Sequence, residues 1–237
     1  MIKLIFKTTL LILIVCCSAL VTKAQLGYDF AQYDIGVAVG FNQVYGDAET
    51  VKQTNSIHFN FTYNTTPYTN FIFEAQLGRL AGGDVNSRSG RKFNNDFTSL
   101  VFRGQLQGGE FLDYRNSKVM NFFKNLYVSA GIGYIINNIP ATDINRTSTV
   151  VPGFYTPGEN KSNEPFIPLK IGYEIKLFNT YDQPSFKIDL GYQYNYVLGD
   201  GVDGFIVGNP HDKYTQVTLG VKFALGGLTS YRKKIPY

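Results

Sequence analysis

Eight segments of the chain alternate between a bulky apolar residue and a polar or small one. The stretch 169–177 is the sharpest case. Leu169, Ile171, Tyr173, Ile175 and Leu177 occupy one parity, and Lys170, Gly172, Glu174 and Lys176 the other. A β-strand sends successive side chains to opposite faces, so a period of two separates the sets completely. The glycines accompany the charges. In a small water-soluble barrel the apolar row would fill the bore, and the polar row would meet open solvent. Here the small residues share the polar row, which makes the polar side the crowded one. That combination predicts a barrel that is apolar outside and polar inside, the pattern of strands in lipid.

The same rule divides seven further segments. In 33–45, Ile35, Val37, Val39 and Phe41 point out while Asp34, Gly36, Ala38, Gly40 and Asn42 point in. In 56–63, Ile57, Phe59, Phe61 and Tyr63 face out against His58, Asn60 and Thr62. The segment 70–80 places Phe71, Phe73, Ala75 and Leu77 outside and Glu74, Gln76 and Gly78 inside. In 97–108 the outer set is Leu100, Phe102 and Leu106, and the inner set Ser99, Arg103, Gln105 and Gln107. Segment 126–137 turns Val128, Ala130, Ile132, Tyr134 and Ile136 outward and Tyr127, Ser129, Gly131 and Gly133 inward. In 186–196, Ile188, Leu190, Tyr192 and Tyr194 oppose Lys187, Asp189, Gly191 and Gln193. In 214–226, Val217, Leu219, Val221, Phe223 and Leu225 oppose Gln216, Thr218, Gly220, Lys222 and Ala224. Each segment is near the nine to eleven residues or so that a tilted crossing requires.

Connections alternate in length. Those at 46–55, 81–96, 138–164 and 197–212 are long, while those around Pro67 and Pro184 are short turns. Long outer loops and short periplasmic turns are the habit of outer-membrane barrels, and an even strand count leaves both termini in the periplasm. The connection 109–125 is longer than its periplasmic counterparts. Val119, Phe122 and Phe123 fall at i, i+3 and i+4, which fits a short helix lying on the inner leaflet, with an irregular loop as the alternative.

The first residues give a destination. Lys3 and Lys7 precede an apolar run over 10–21, which ends in Thr22-Lys23-Ala24 before Gln25. A charged start, a short apolar core and a small-residue end make a secretory signal, with cleavage expected after Ala24. The run is too short to span a bilayer as a helix. Cys16 and Cys17 lack the preceding small residue of a lipid-attachment site and leave with the signal. So do Lys3, Lys7 and Lys23, three of the chain's 22 basic residues, against 18 acidic ones that all remain. The mature chain is therefore nearly neutral and free of thiols, which removes disulfide chemistry and any electrostatic case for nucleic acid. Its domain plan is a signal over 1–24, a barrel over 25–226 and a basic periplasmic tail over 227–237 carrying Arg232, Lys233 and Lys234.

With its signal ending in Ala24-Gln25, its eight-strand meander and its aromatic-rich strands, the chain resembles the small outer-membrane barrels of Gram-negative bacteria, such as the OmpA transmembrane domain and OmpX. Its Tyr- and Asn-rich texture is most similar to barrels of the Bacteroidota. The resemblance implies an all-β, eight-stranded, antiparallel up-and-down transmembrane barrel in the outer membrane. It would sit among membrane lipid and lipopolysaccharide. One departure is that Phe223 is followed by a tail where many such barrels end on an aromatic residue. Either the tail hangs in the periplasm or the last strand runs further.

The candidate site is the bore. Parity turns Asp34, Glu74, Glu174 and Asp189 inward, together with Arg103, Lys170, Lys176, Lys187 and Lys222. An eight-stranded barrel has room for little beyond side chains, so these charges must pair. Glu74 and Arg103 lie on neighbouring strands. The set reads as a structural network that plugs the lumen, with an ion path opened by exchange of pairs as the alternative. Catalysis on small barrels requires a His with a Ser, Asp or Glu. His58 has Ser56 nearby, and His211 adjoins Asp212, but no spacing forces a nucleophile, base and orienting group together. The loop Asp200-Gly201-Val202-Asp203-Gly204 has the residues of a calcium turn and equally of an ordinary one. No phosphate-binding loop, cofactor motif or metal motif stands out. The reading is a non-enzymatic barrel whose outer loops, 138–164 above all, face surface polysaccharide, other cells or an envelope partner protein. A narrow channel and a lipid A-modifying enzyme are the alternatives.

Overall fold

The computed structural model describes residues 27–114, 117–180, 183–207 and 211–232. The signal segment 1–24 and the tail residues Lys233 and Lys234 lie outside the described residues. Nine antiparallel strands follow in order: β1 (Gly27–Tyr45), β2 (Gln53–Asn64), β3 (Thr69–Gly83), β4 (Lys92–Gln107), β5 (Leu126–Asn138), β6 (Ile144–Asn145), β7 (Lys161–Phe178), β8 (Pro184–Val197) and β9 (Lys213–Arg232). Each of the eight long strands pairs with its neighbour in the chain, and β9 pairs back onto β1 from Tyr45↔Lys213 to Gly27↔Arg232. The ring is closed, so among the described residues the barrel has no free edge. The two-residue β6 only extends the outer end of β4 through Phe93↔Ile144.

The outward rows are the apolar ones. Ile171, Leu190, Phe73 and Val217 expose about half of their surface with no protein against them. The inward rows are buried. Side chains that shun water on the outside of a sealed ring demand hydrocarbon as solvent, and the fold is a transmembrane barrel.

Three expectations are corrected. The strands run from 12 to 20 residues and outlast the membrane. Polar outward residues such as Lys161, Asn163 and Lys92 carry the ladder on into water, where apolar alternation no longer marks it. The long connection expected over 81–96 shrinks to the stretch between Gly83 and Lys92 for this reason. Residues 227–232, assigned to a tail, belong to β9 and pair with the start of β1. The alternation is interrupted at Gly226, whose φ of 82° coincides with a register shift between Ala31 and Tyr33. Such a bulge resets parity.

At the periplasmic end a 3₁₀ turn, Gly108–Glu110, leads to helix α1, Lys118–Phe123. Ser117 caps α1 by accepting a bond from the Met120 amide. Phe122 stacks on Tyr173 of β7 at 5.0 Å.

Candidate functional site

All nine charged residues assigned to the bore lie inside the ring. Near its periplasmic end Lys187 donates to Asp34 at 2.6 Å, and Asn64 donates to the same carboxylate oxygen. Lys222 bridges Glu174 at 2.8 Å and Asp189 at 3.2 Å. Asp189 also receives Lys170 at 2.8 Å and the Tyr127 hydroxyl at 3.1 Å. Lys176 donates to Gln107 and to the Pro67 carbonyl, 3.9 Å from Glu174. Gln107 in turn donates to Glu174 at 3.0 Å. The ring of Tyr68 lies under the Lys176 ammonium at 4.6 Å and closes this end with the edges of Tyr114 and Tyr231.

Halfway up, Arg103 grips Glu74 with two nitrogens, at 2.7 and 3.2 Å, and reaches across to Gln193 at 3.0 Å. Amides continue the array. Gln193 donates to Asn195 and Gln216, and Gln216 donates to Asn42 and Gln76. These groups come from opposite walls, so the array crosses the bore.

In the same layer the Ser56–His58 pair noted in the sequence is joined by Glu74, a convergence the spacing did not reveal. Ser56 Oγ is 2.8 Å from His58 Nε2, and His58 Nδ1 is 3.3 Å from Glu74 Oε1. Ser, His and Glu thus stand in the order of a hydrolytic triad. The surroundings oppose that chemistry. Ser56 donates to Asn42, Glu74 is held by Arg103 and Gln76, and all three triad members are buried. No acyl group reaches Ser56 without opening the barrel. His211, the other histidine considered, packs on Tyr196 in the outer loop, away from this layer.

The outer third of the bore is apolar, a second feature not anticipated. Val44, Leu80, Phe93, Phe97, Val101, Ile135, Phe166, Val197 and Tyr214 form one buried cluster. Their positions share the inward parity of the charges, which is the signal that would have found them. Residues 198–207 fold down onto the cluster and add Val202 and Phe205, both fully buried.

Two carboxylates hold this cap. Asp203 accepts from the amides of Asp47, at 2.6 Å, and Phe205, at 2.9 Å. Asp212 accepts from the amides of Val202, at 2.9 Å, and Asp203. Both carboxylates crowd onto Gly46, where an added Cβ would collide with them. Asp47 itself accepts from Val207. Burial pushes Asp203 up to about 7, with Asp47 and Asp200 adding repulsion, and burial beside Asp203 pushes Asp212 up to about 8. Gly204 turns the chain between them with φ of 76°. The stretch read as a possible calcium turn is therefore a turn built on backbone donors. Among the described residues no three His, Cys, Asp or Glu side chains converge as a metal site.

No family model and no curated protein matches the chain. Among solved structures it is similar to Neisserial surface protein A (TM-score 0.47, 11% identity, 82% of this chain and 98% of that one). It is similar also to Ail, the attachment invasion locus protein of Yersinia pestis (0.43, 12%, 81% and 99%). A third is the outer-membrane protein AlkL in lipid bilayers (0.38, 13%, 92% and 97%). Likeness at these scores carries no weight beside the closed ring and its outward apolar rows, and it does not bear on the similarity to Bacteroidota barrels.

Proposed function

We propose that the protein is a non-enzymatic integral barrel of the outer membrane, exported through the 1–24 segment with cleavage after Ala24. Its bore is a permanent plug. Its outward rows meet membrane lipid and lipopolysaccharide, and its outer hairpins present a surface to polysaccharide or an envelope partner protein. One observation supports this most: each of the nine bore charges, five bases and four acids, has an opposite charge within 3.9 Å inside the ring, and an apolar cap seals the layer above them. Moving a hydrated ion through would require separating several buried pairs and displacing Phe97, Phe166 and Tyr214 together. The hairpins above are rigidly joined to one another. Ser148 donates to the Arg88 carbonyl and Asn145 to the Gly90 carbonyl. A preformed surface binds with little ordering cost.

Planar bilayers test the plug. The inserted barrel should conduct no more than a protein-free membrane, and steady stepwise conductance would replace the plug with a channel. Cross-linking in intact outer membranes, followed by capture of the barrel, tests the surface role. A second reading, a hydrolase, rests on the Ser56–His58–Glu74 arrangement alone, and an altered lipid A profile on deleting the gene would favour it.

A further inference from the structure

The connection between β4 and β5 leaves large apolar side chains partly or mostly uncovered among the described residues. Phe111 is 72% exposed and Val119 57%, and Met120 and Phe123 stand open beside them. The turn is not loosely attached. The Gly109 amide donates to the Lys124 carbonyl, and the Lys124 ammonium lies over the Tyr114 ring at 5.1 Å. Phe122 faces the barrel. Its ring stacks on Tyr173, and the Tyr173 hydroxyl donates to the Phe122 carbonyl at 3.1 Å. Tyr173 belongs to the outward row of β7 with Leu169 and Ile171, and it pairs across the sheet with the exposed Leu126. Helix α1 therefore leans on the side wall of the barrel, against an outward row that continues through Ile175 and Leu177, and not beneath the bore.

We propose that residues 108–114 and 117–125 lie in the interface of the periplasmic leaflet, with Phe111, Val119, Met120 and Phe123 inserted among phospholipid chains, and fix the inner rim of the barrel at that depth. The inference rests on the membrane-barrel reading and extends it to a segment that does not cross. Continuity selects lipid as the occupant. The patch joins the lipid-facing wall through Phe122 and Tyr173, so a protein docked there would have to displace lipid from β7. An aromatic and aliphatic face with a cation beside it is the composition of interfacial segments. Lys118, exposed at the start of α1, supplies that cation at headgroup level.

The chain contains no tryptophan, so single replacements report from one place each. Phe123→Trp and Phe111→Trp change exposed residues and leave the packed rings of Phe122 and Tyr173 intact. Each variant is folded into phosphatidylcholine vesicles with and without lipid brominated near the headgroup end of its acyl chains, and Leu190→Trp, on the outer wall near the midplane, into vesicles with and without lipid brominated near the chain ends. Bromine should cut the emission of Phe123→Trp and Phe111→Trp by roughly half or more, with weak quenching by aqueous acrylamide, as for a buried interfacial segment. Emission indifferent to bromine and open to acrylamide in both variants, with Leu190→Trp still quenched by bromine, overturns the anchor alone. Loss of bromine quenching at Leu190→Trp as well overturns the membrane barrel itself.

Discussion

Raising the pH should loosen the outer cap while the barrel beneath stays folded. The pair responsible is Asp203 and Asp212, which pin Val202 and Phe205 into the mouth through backbone amides. The groups around them are mostly of the same sign. Asp47 and Asp200 add repulsion, Arg91 acts on Asp47, and His211 acts on Asp200. With the closed-state values raised from 3.8 to about 7 and about 8, the closed form holds protons that the open loop would release. Closure is thus favoured most below pH 4, and its advantage falls as pH rises through 7 and 8. At about 1.4 kcal/mol per unit, the rise from 3.8 to about 8 at Asp212 alone sets a ceiling of about 6 kcal/mol. Relaxation of the loop lowers that figure, and even a loss of about 2 kcal/mol would raise the open fraction about thirty-fold. Hydrogen exchange of the 198–212 peptide in detergent micelles, corrected for the intrinsic pH dependence, measures it. Protection should fall by at least an order of magnitude between pH 6 and 8.5 for the wild type. Asp212→Asn, which keeps the shape and removes one titration, should flatten the profile. Equal protection at both pH values, with carboxyl carbon shifts titrating near 4, would refute the reasoning.

Glu74→Gln and Arg103→Met should each lower unfolding free energy in vesicles by about 3–5 kcal/mol, and the double variant should recover most of the loss, because only the single changes strand a buried charge. Additive losses in urea titrations would show that the pair is not coupled. Leu190→Lys, on the lipid side, should lower folding free energy by about 2–4 kcal/mol near the midplane, read by the heat-dependent gel shift of folded barrels. An unchanged value would reverse the parity of β8. The Ser56 hydroxyl, sealed under the cap, should resist fluorophosphonate labelling in the folded barrel. A Ser56 adduct identified by mass spectrometry would revive the hydrolytic reading.

Parity was the legible part of this fold, because one residue of slip would turn Leu169, Ile171 and Leu177 into the bore and Lys170 and Glu174 into lipid. That constraint carries through all eight strands and places every predicted bore charge. Parity states which way a residue faces and not what it meets. Phe97, Phe166 and Tyr214 share the inward parity of Ser99, Lys170 and Gln216, and they find an apolar environment only by packing on one another under Val202 and Phe205 of the loop after β8. Asp203 and Asp212 meet across a loop that has no period at all. Ser56, His58 and Glu74 converge because β2 and β3 pair His58 with Gln76 and Asn60 with Glu74, a register that the turn at Pro67 sets and composition does not reveal. The end of β9 was hidden by the bulge opposite Ala31, which interrupts the alternation while the hydrogen-bonded pairing continues.

The glycines of the polar row show why it had to be the crowded one. A side chain at Gly36 would strike Lys222, at Gly131 Arg103, at Gly172 Tyr127 and at Gly191 Lys170. Gly36, Gly172 and Gly191 each lie beside a specific long side chain and leave volume that chain fills. The cations reach their carboxylates only across that space: Lys170 and Lys222 meet at Asp189, and Arg103 meets Glu74. In a bore this narrow, a buried charge tolerates neither a missing partner nor a missing path to it. Glycine and charge therefore occur together on one parity because they solve one packing problem. The outward parity, packed against fluid lipid, has no such constraint and is filled with bulk.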